Sequence, residues 1–163
     1  MNTRCGDLDP GIIVELVRDG LGADALVRLL HRESGLQGLS GGISSDIRDL
    51  AAVKESESRA RLAFDLYVYR IKQYIGSYAA VMNGIDVLVF TDDVGLRVPE
   101  VRSAVCREMD YLGIRLDGQR NRAANPERIE PLHVDGERVR ILAIPNDEES
   151  AIYAEGLTLL AGV

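Results

Sequence analysis

The run Ile85–Thr91, reading IDVLVFT, constrains this chain more than any other segment. It is short, apolar and rich in β-branched residues, which suits a buried parallel strand. Helical patterns stand on both sides of it. From about Arg59 to Asn83 runs the longest, with Ala63, Leu66, Tyr67, Arg70, Ile71, Tyr74, Ile75, Tyr78 and Val81 recurring at helical spacing until Gly84 ends it. After the strand, Asp92-Asp93-Val94-Gly95 reads as a turn, and Pro99 opens a helix to about Leu112.

The remaining segments fit around that unit. Asp9 is placed to cap a helix with Pro10 at its first position, and Ile12, Ile13, Leu16 and Val17 share a face until Gly20 or Gly22. A second helix from about Ala23 carries Leu26, Leu29 and Leu30 as its buried stripe and stops before Ser34-Gly35. Ser34–Ser45 reads as a Gly/Ser loop, followed by Asp46–Asp49 and a charged segment to about Arg59. Ile114–Leu116 is a short strand, and Arg128–His133 pairs with Arg138–Ile144 as a hairpin around Asp135-Gly136. Pro145-Asn146-Asp147 starts a last helix through Leu160. Helices come first, then strand, helix, strands and helix, which is an α/β or α+β layer arrangement.

Bulk properties narrow the function. A chain of 163 residues is expected to form a single domain over 1–163. Its 46% hydrophobic content is that of an ordinary globular protein. The net charge, 19 − 26 = −7, argues against nucleic acid or an anionic membrane as partner. The absence of Trp removes a common stacking platform for single strands. Cys5 and Cys106 read as two reduced thiols, and the isolated His31 and His133 as ordinary histidines. The start, MNTRCGDLDPG, has no apolar run suited to a signal peptide, and Val87–Phe90 and Val139–Ile144 are too short to span a bilayer. The expectation is a soluble, cytoplasmic protein.

Some positions are suited to chemistry. Glycine loops near helix starts offer backbone N–H groups to phosphate, and Ser40–Ser45 and Asp92–Gly95 are the candidates. The second lies at the carboxyl end of a strand, where α/β folds place ligands, yet its two aspartates would repel a polyphosphate. Glu148-Glu149 either stabilises the start of the last helix or supplies a carboxylate to Mg²⁺. Arg4 is either a surface arginine or a phosphate clamp.

Taken in order, TRCGDLDP (Thr3–Pro10), ESGLQGLS (Glu33–Ser40), SSDIRD (Ser44–Asp49), YRIKQYIGSY (Tyr69–Tyr78), DVLVFT (Asp86–Thr91) and IPNDEE (Ile144–Glu149) resemble the acetate and propionate kinase family. The resemblance implies a ribonuclease H-like, actin/hexokinase-type α/β domain, with a mixed sheet and flanking helices. It also implies a phosphotransferase that converts ATP and a short-chain carboxylate to ADP and an acyl phosphate with Mg²⁺. By motif, Arg4 corresponds to the family's transition-state arginine. Asp46, Ile47 and Arg48 correspond to its adenosine-contacting segment, and Glu148 to its magnesium-associated glutamate. Asp93, Val94, Gly95, Leu96 and Arg97 occupy its phosphate loop.

The sequence also departs from that pattern. Where the family has FTGGIGEN, this chain has FTDDVGLR, so Asp92 and Asp93 stand in for two glycines and Leu96-Arg97 for Glu-Asn. Two like charges beside a polyphosphate are costly; one unit pair at 4 Å is worth about 4 kcal/mol at an effective dielectric of 20. Arg97 returns some attraction. Met1-Asn2 stand directly before the Thr-Arg pair, where the family has a long preceding chain. The expectation is a C-terminal fragment, inactive by itself; a split enzyme completed by a separate N-terminal half is a further reading. The alternative is a degenerate nucleotide-binding or homodimerising module. Nucleic acid and membranes are not expected partners.

Overall fold

The computed structural model describes residues 1–161. The chain forms two compact units, Met1–Val81 and a second beginning at Met82.

In the first unit, α1 (Pro10–Arg18), α2 (Ala23–Arg32), α3 (Gly35–Leu39), α4 (Ile47–Val53) and α5 (Ser58–Val81) follow one another. α1 starts where the sequence places it: the Asp9 carboxylate accepts from the Gly11 amide at 2.7 Å. The predicted Gly/Ser loop is in part the short helix α3. The charged stretch after Asp46 is α4, begun by the Asp46 carboxylate accepting from the Arg48 amide at 2.8 Å. Its apolar Ile47 and Leu50 are buried, while the charged residues that follow Val53 lie beyond its end.

The core of this unit sits where α3 and α4 pack on the first half of α5, around Leu36, Ile47, Leu50, Ala60, Ala63 and Phe64. Ala60 and Ala63 let the shorter helices approach closely. The buried line of α5 continues through Val68 to Ala79, whereas Tyr74, Tyr78 and Val81 of the expected stripe are exposed. Alanine carries little hydrophobic signal, so the larger tyrosines dominate the periodicity of this segment. Leu26, Leu29 and Leu30 of α2 are only half-buried.

The second unit runs β1 (Val87–Phe90), α6 (Asp92–Arg97), α7 (Pro99–Cys106), a 3₁₀ turn (Asp110–Leu112), α8 (Gly118–Ala123), β2 (Glu130–Pro131), β3 (Arg140–Ala143) and α9 (Glu148–Ala161). The sheet order is β1-β3-β2, with β1 parallel to β3 and β2 antiparallel to it. The expected hairpin forms, with Glu130 opposite Ala143 and Pro131 opposite Leu142. Leu116 makes a single antiparallel bridge to His133 in place of a longer strand. The core comprises Val98, Val101, Val105, Met109, Ile114, Leu132, Val139 and Ile141.

β1 is parallel, as its composition suggests, but it is an edge strand rather than a fully buried one: Val89 is 45% exposed. Asp92–Gly95 is the first turn of α6, not a free turn. α8 was not legible, since GQRNRA has no apolar periodicity; Asp117 nucleates it by accepting from the Gln119 and Arg120 amides at 2.8 and 3.0 Å. Both cysteines are free. Among the described residues no helix is long and apolar enough to cross a membrane.

Candidate functional site

In the second unit, the end of β1 delivers the chain into α6, and the end of β3 delivers it into the segment before α9. Both exits flank one open hollow of about 350 Å³. Asp92, Asp93, Leu96 and Arg97 line it from α6, Pro126 and Glu127 from the loop after α8, and Pro145–Glu149 from the start of α9. Two motifs distant in sequence, the 92–97 segment and Glu148, therefore share a single cavity.

Its chemistry is acidic. Asp92, Asp93, Glu127, Asp147, Glu148 and Glu149 face one arginine across it. Arg97 Nε lies 3.0 Å from the Asp93 carboxylate, and Arg97 Nη2 donates to Glu127 at 2.8 Å. The Asn146 side-chain amide donates to Glu148 at 2.9 Å. The Asp147 carboxyl accepts from the Ser150 amide at 3.0 Å, and its hydrogen bonds to Ser150 hold it below the usual carboxylate range.

Backbone geometry explains two positions in α6. Asp92 has φ 62°, in the left-handed region that favours glycine. Gly95 packs on the strand it follows: a Cβ there would lie 3.3 Å from the Phe90 carbonyl carbon. This glycine is accounted for by helix–strand packing. Val94 is half-buried and Leu96 is in the core, 9% exposed.

Beneath α6 lies a residue that the sequence reading missed. Arg102 is 1% exposed and donates to the Gly95 and Leu96 carbonyls at 2.8 and 2.7 Å. It also donates to the Asn121 side-chain and main-chain oxygens at 2.6 and 2.7 Å. Asn121 in turn donates to the Pro99 carbonyl and the Ser103 hydroxyl. A cation at the carboxyl end of α6 suits the helix dipole as well as its free carbonyls. Burial lowers the Arg102 pKa, and Glu100 pulls it back up. The sequence signal would have been an arginine at a core position of α7, between Val101 and Val105.

The first unit holds the other candidates. Arg4 is exposed. Arg48 Nε donates to both Asp46 carboxylate oxygens at 3.0 Å, and Arg48 hydrogen bonding holds Asp46 below its ordinary pKa. The Ile47 side chain belongs to the core, at 3% exposure. Neither Arg4 nor Asp46–Arg48 lines the 470 Å³ pocket of this unit, which lies among Met1, Cys5, Gly35 and Leu66. Asp7 is a further residue not foreseen: its carboxylate accepts from the Tyr74 hydroxyl and from Arg70, tying the leading segment to α5.

Residues 1–154 match the sequence model of the acetokinase family. The chain belongs to the acetokinase family. It is 44% identical over 162 residues to the acetate kinase of Moorella thermoacetica, covering 98% of this chain and 40% of that protein. It is also 44% identical over 164 residues to the acetate kinase of Leifsonia xyli subsp. xyli, covering 99% and 40%. Among solved structures, Porphyromonas gingivalis acetate kinase superposes with a TM-score of 0.88 at 39% identity, over 98% of this chain and 40% of that one. A propionate kinase from Francisella tularensis subsp. tularensis superposes at 0.81 and 26% identity, over 91% and 38%. This acetokinase chain thus spans about two-fifths of the length of the curated relatives it matches. Its helix-rich α/β fold with a mixed sheet agrees with the ribonuclease H-like class expected for it.

Acetokinase chemistry implies Mg²⁺. Among the described residues, no three His, Cys, Asp or Glu side chains converge as a metal cage. Glu148 fits the ion only in the manner magnesium commonly accepts, with one or two carboxylates completed by waters and substrate phosphate.

Proposed function

We propose that this chain is the C-terminal, nucleotide-side portion of a cytoplasmic acetate kinase-type phosphotransferase, with ATP as donor and acetate or propionate as acceptor. On this reading these residues do not catalyse alone and need the part of the family's length that they do not span. The observation that carries the reading is the acetokinase match over residues 1–154 in a chain two-fifths the length of its relatives.

The roles are carried over by motif. Arg4 would hold the equatorial oxygens of the transferring phosphoryl group through its planar fork, since phosphoryl transfer is mostly positioning plus charge stabilisation. Asp46, Ile47 and Arg48 would meet the adenosine, with Ile47 contributing backbone only. The 92–97 segment would meet the phosphates from the end of β1, and Glu148 would orient water around Mg²⁺, whose part is to neutralise phosphate charge.

The acidic hollow supports a weakened nucleotide site. Titration of ATP with Mg²⁺, and of ADP, into the chain is expected to show weak or no binding, and Asp92→Gly with Asp93→Gly is expected to raise affinity. Tight binding by the unaltered chain would sink the claim of a damaged loop. Acyl phosphate made by the isolated chain, trapped as hydroxamate, would overturn the need for a second half.

A second reading, a homodimerising module, is favoured by the exposed face of α5. Tyr74 and Tyr78 stack with ring centroids 6.2 Å apart, and Val81 beyond them is 84% exposed. Sedimentation velocity separates the two: a tight dimer that dissociates on Tyr78→Asp supports this reading.

A further inference from the structure

This inference rests on reading residues 92–97 as a phosphate site. Among the described residues lining the hollow, Arg97 is the sole Lys or Arg, and its guanidinium is already engaged twice. Asp93 sits four residues earlier on the same short helix and moves with Arg97. Glu127 is different. It comes from another loop, whose main chain is held by the Glu127 amide donating to the Asn125 side-chain oxygen at 2.9 Å, so it does not move with Arg97.

We propose that Glu127 determines whether this hollow accepts phosphate: with Asp93 it holds Arg97 in an internal ion pair, and loss of Glu127 frees Arg97 as a phosphate ligand. The carboxylates occupy Nε and Nη2, donors that a phosphate would also use, because both anions match the same planar array of N–H groups. The three side chains are 53%, 44% and 71% exposed for Arg97, Asp93 and Glu127, so the pair is open to exchange with a dissolved anion. Exposed pairs of this kind hold loosely, which makes the arrangement a bias on binding rather than a permanent block. The shared ligand chemistry is a polyphosphate, carried either by a nucleotide or by free pyrophosphate.

The test is calorimetric titration of the full chain with ATP plus Mg²⁺ and, separately, with inorganic pyrophosphate. Glu127→Gln is expected to tighten binding about two- to fivefold, within the range that relief of an exposed ion pair supports. The gain should vanish in the double variant Arg97→Ala/Glu127→Gln. Glu149→Gln, which removes a charge from the same hollow, should gain less. A gain with pyrophosphate alone supports the proposal and assigns the site to free polyphosphate; a gain with both supports it and includes the nucleotide. Equal gains in Glu127→Gln and Glu149→Gln, or a gain that survives loss of Arg97, would overturn it. If Asp92→Gly/Asp93→Gly binds ATP while Glu127→Gln improves nothing, this inference fails and the phosphate-site reading stands. If neither binds, both fall. Thermal melts of each variant confirm that the unit remains folded.

Discussion

Asp92 is the residue at which backbone and side chain disagree. Its φ of 62° is the region a glycine enters freely, and an L-residue there costs on the order of 1–2 kcal/mol, less for aspartate than for most. Asp92→Gly is therefore expected to stabilise the second unit by up to about 1 kcal/mol, with part of the strain relief offset by the freer unfolded chain. A calorimetric melt that fails to rise would contradict this. Arg102 presents the opposite case, a buried charge held by four oxygens within hydrogen-bond reach, with Glu100 acting on it only through its field. Arg102→Met should cost about 2–4 kcal/mol in urea unfolding, because buried carbonyls of Gly95, Leu96 and Asn121 lose their donor. Arg102→Lys, too short and not forked, should recover only part of that loss.

Among the elements, the leading segment is the most dependent on one glycine. The Leu36 and Gln37 amides donate to the Met1 and Asn2 carbonyls at 2.8 and 3.0 Å, and the Cys5 amide to Leu30 at 2.9 Å. This is possible because Gly35 has no Cβ: one built there would lie 2.0 Å from the Met1 carbonyl oxygen, at φ 61°. Gly35→Ala should cost about 2–4 kcal/mol from backbone strain and overpacking together, and hydrogen exchange should quicken at Cys5, Leu36 and Gln37.

The same segment is tied to α5 through Asp7, whose hydrogen bond from Tyr74, more than its pairing with Arg70, lowers its pKa. A carboxyl depressed in the fold stabilises it above the unfolded pKa, near 3.9, and that contribution is lost as pH falls through the folded value. Asp7→Asn should thus lower the melting temperature at pH 7, and the difference from the unaltered chain should shrink below about pH 4. A gap that persists unchanged at pH 2 would show that the carboxylate charge is not involved.

Elements with a strong local signal were legible in the sequence. Asp9-Pro10 marks α1, the Asp135-Gly136 turn marks the β2–β3 hairpin, and the β-branched run marks β1. α8 and the true buried face of α5 were not, because their cores use Asn121 and alanines, which no periodicity of large apolar residues reveals. In the candidate site, 92–97 and Glu148 were each singled out by motif, but that they line one hollow is visible only in the fold. Glu127 and Arg102 escaped because their importance arises from contacts across the fold, Glu127 with Arg97 and Arg102 with Asn121.

At the scale of the whole molecule, charge and apolar exposure are both unevenly spread. The net charge is −7, and the candidate hollow carries more than its share of the acid. On α9, Ile152, Tyr153, Leu157 and Leu160 are 71%, 68%, 49% and 76% exposed. Exposed apolar groups gathered on one helix favour self-association at high concentration. Ile152→Asp with Leu157→Asp should reduce light scattering of concentrated samples while leaving the far-ultraviolet dichroism unchanged. Equal scattering would place the sticky surface elsewhere, with the tyrosines of α5 next in line.

The left-handed backbone at Asp92 also bears on history. The turn already holds the conformation that glycine enters freely, and aspartate and glycine codons differ by a single base. The step to glycine is short in the gene and expected to be downhill in the fold, so a population selected for tighter nucleotide binding would be expected to alter this codon early.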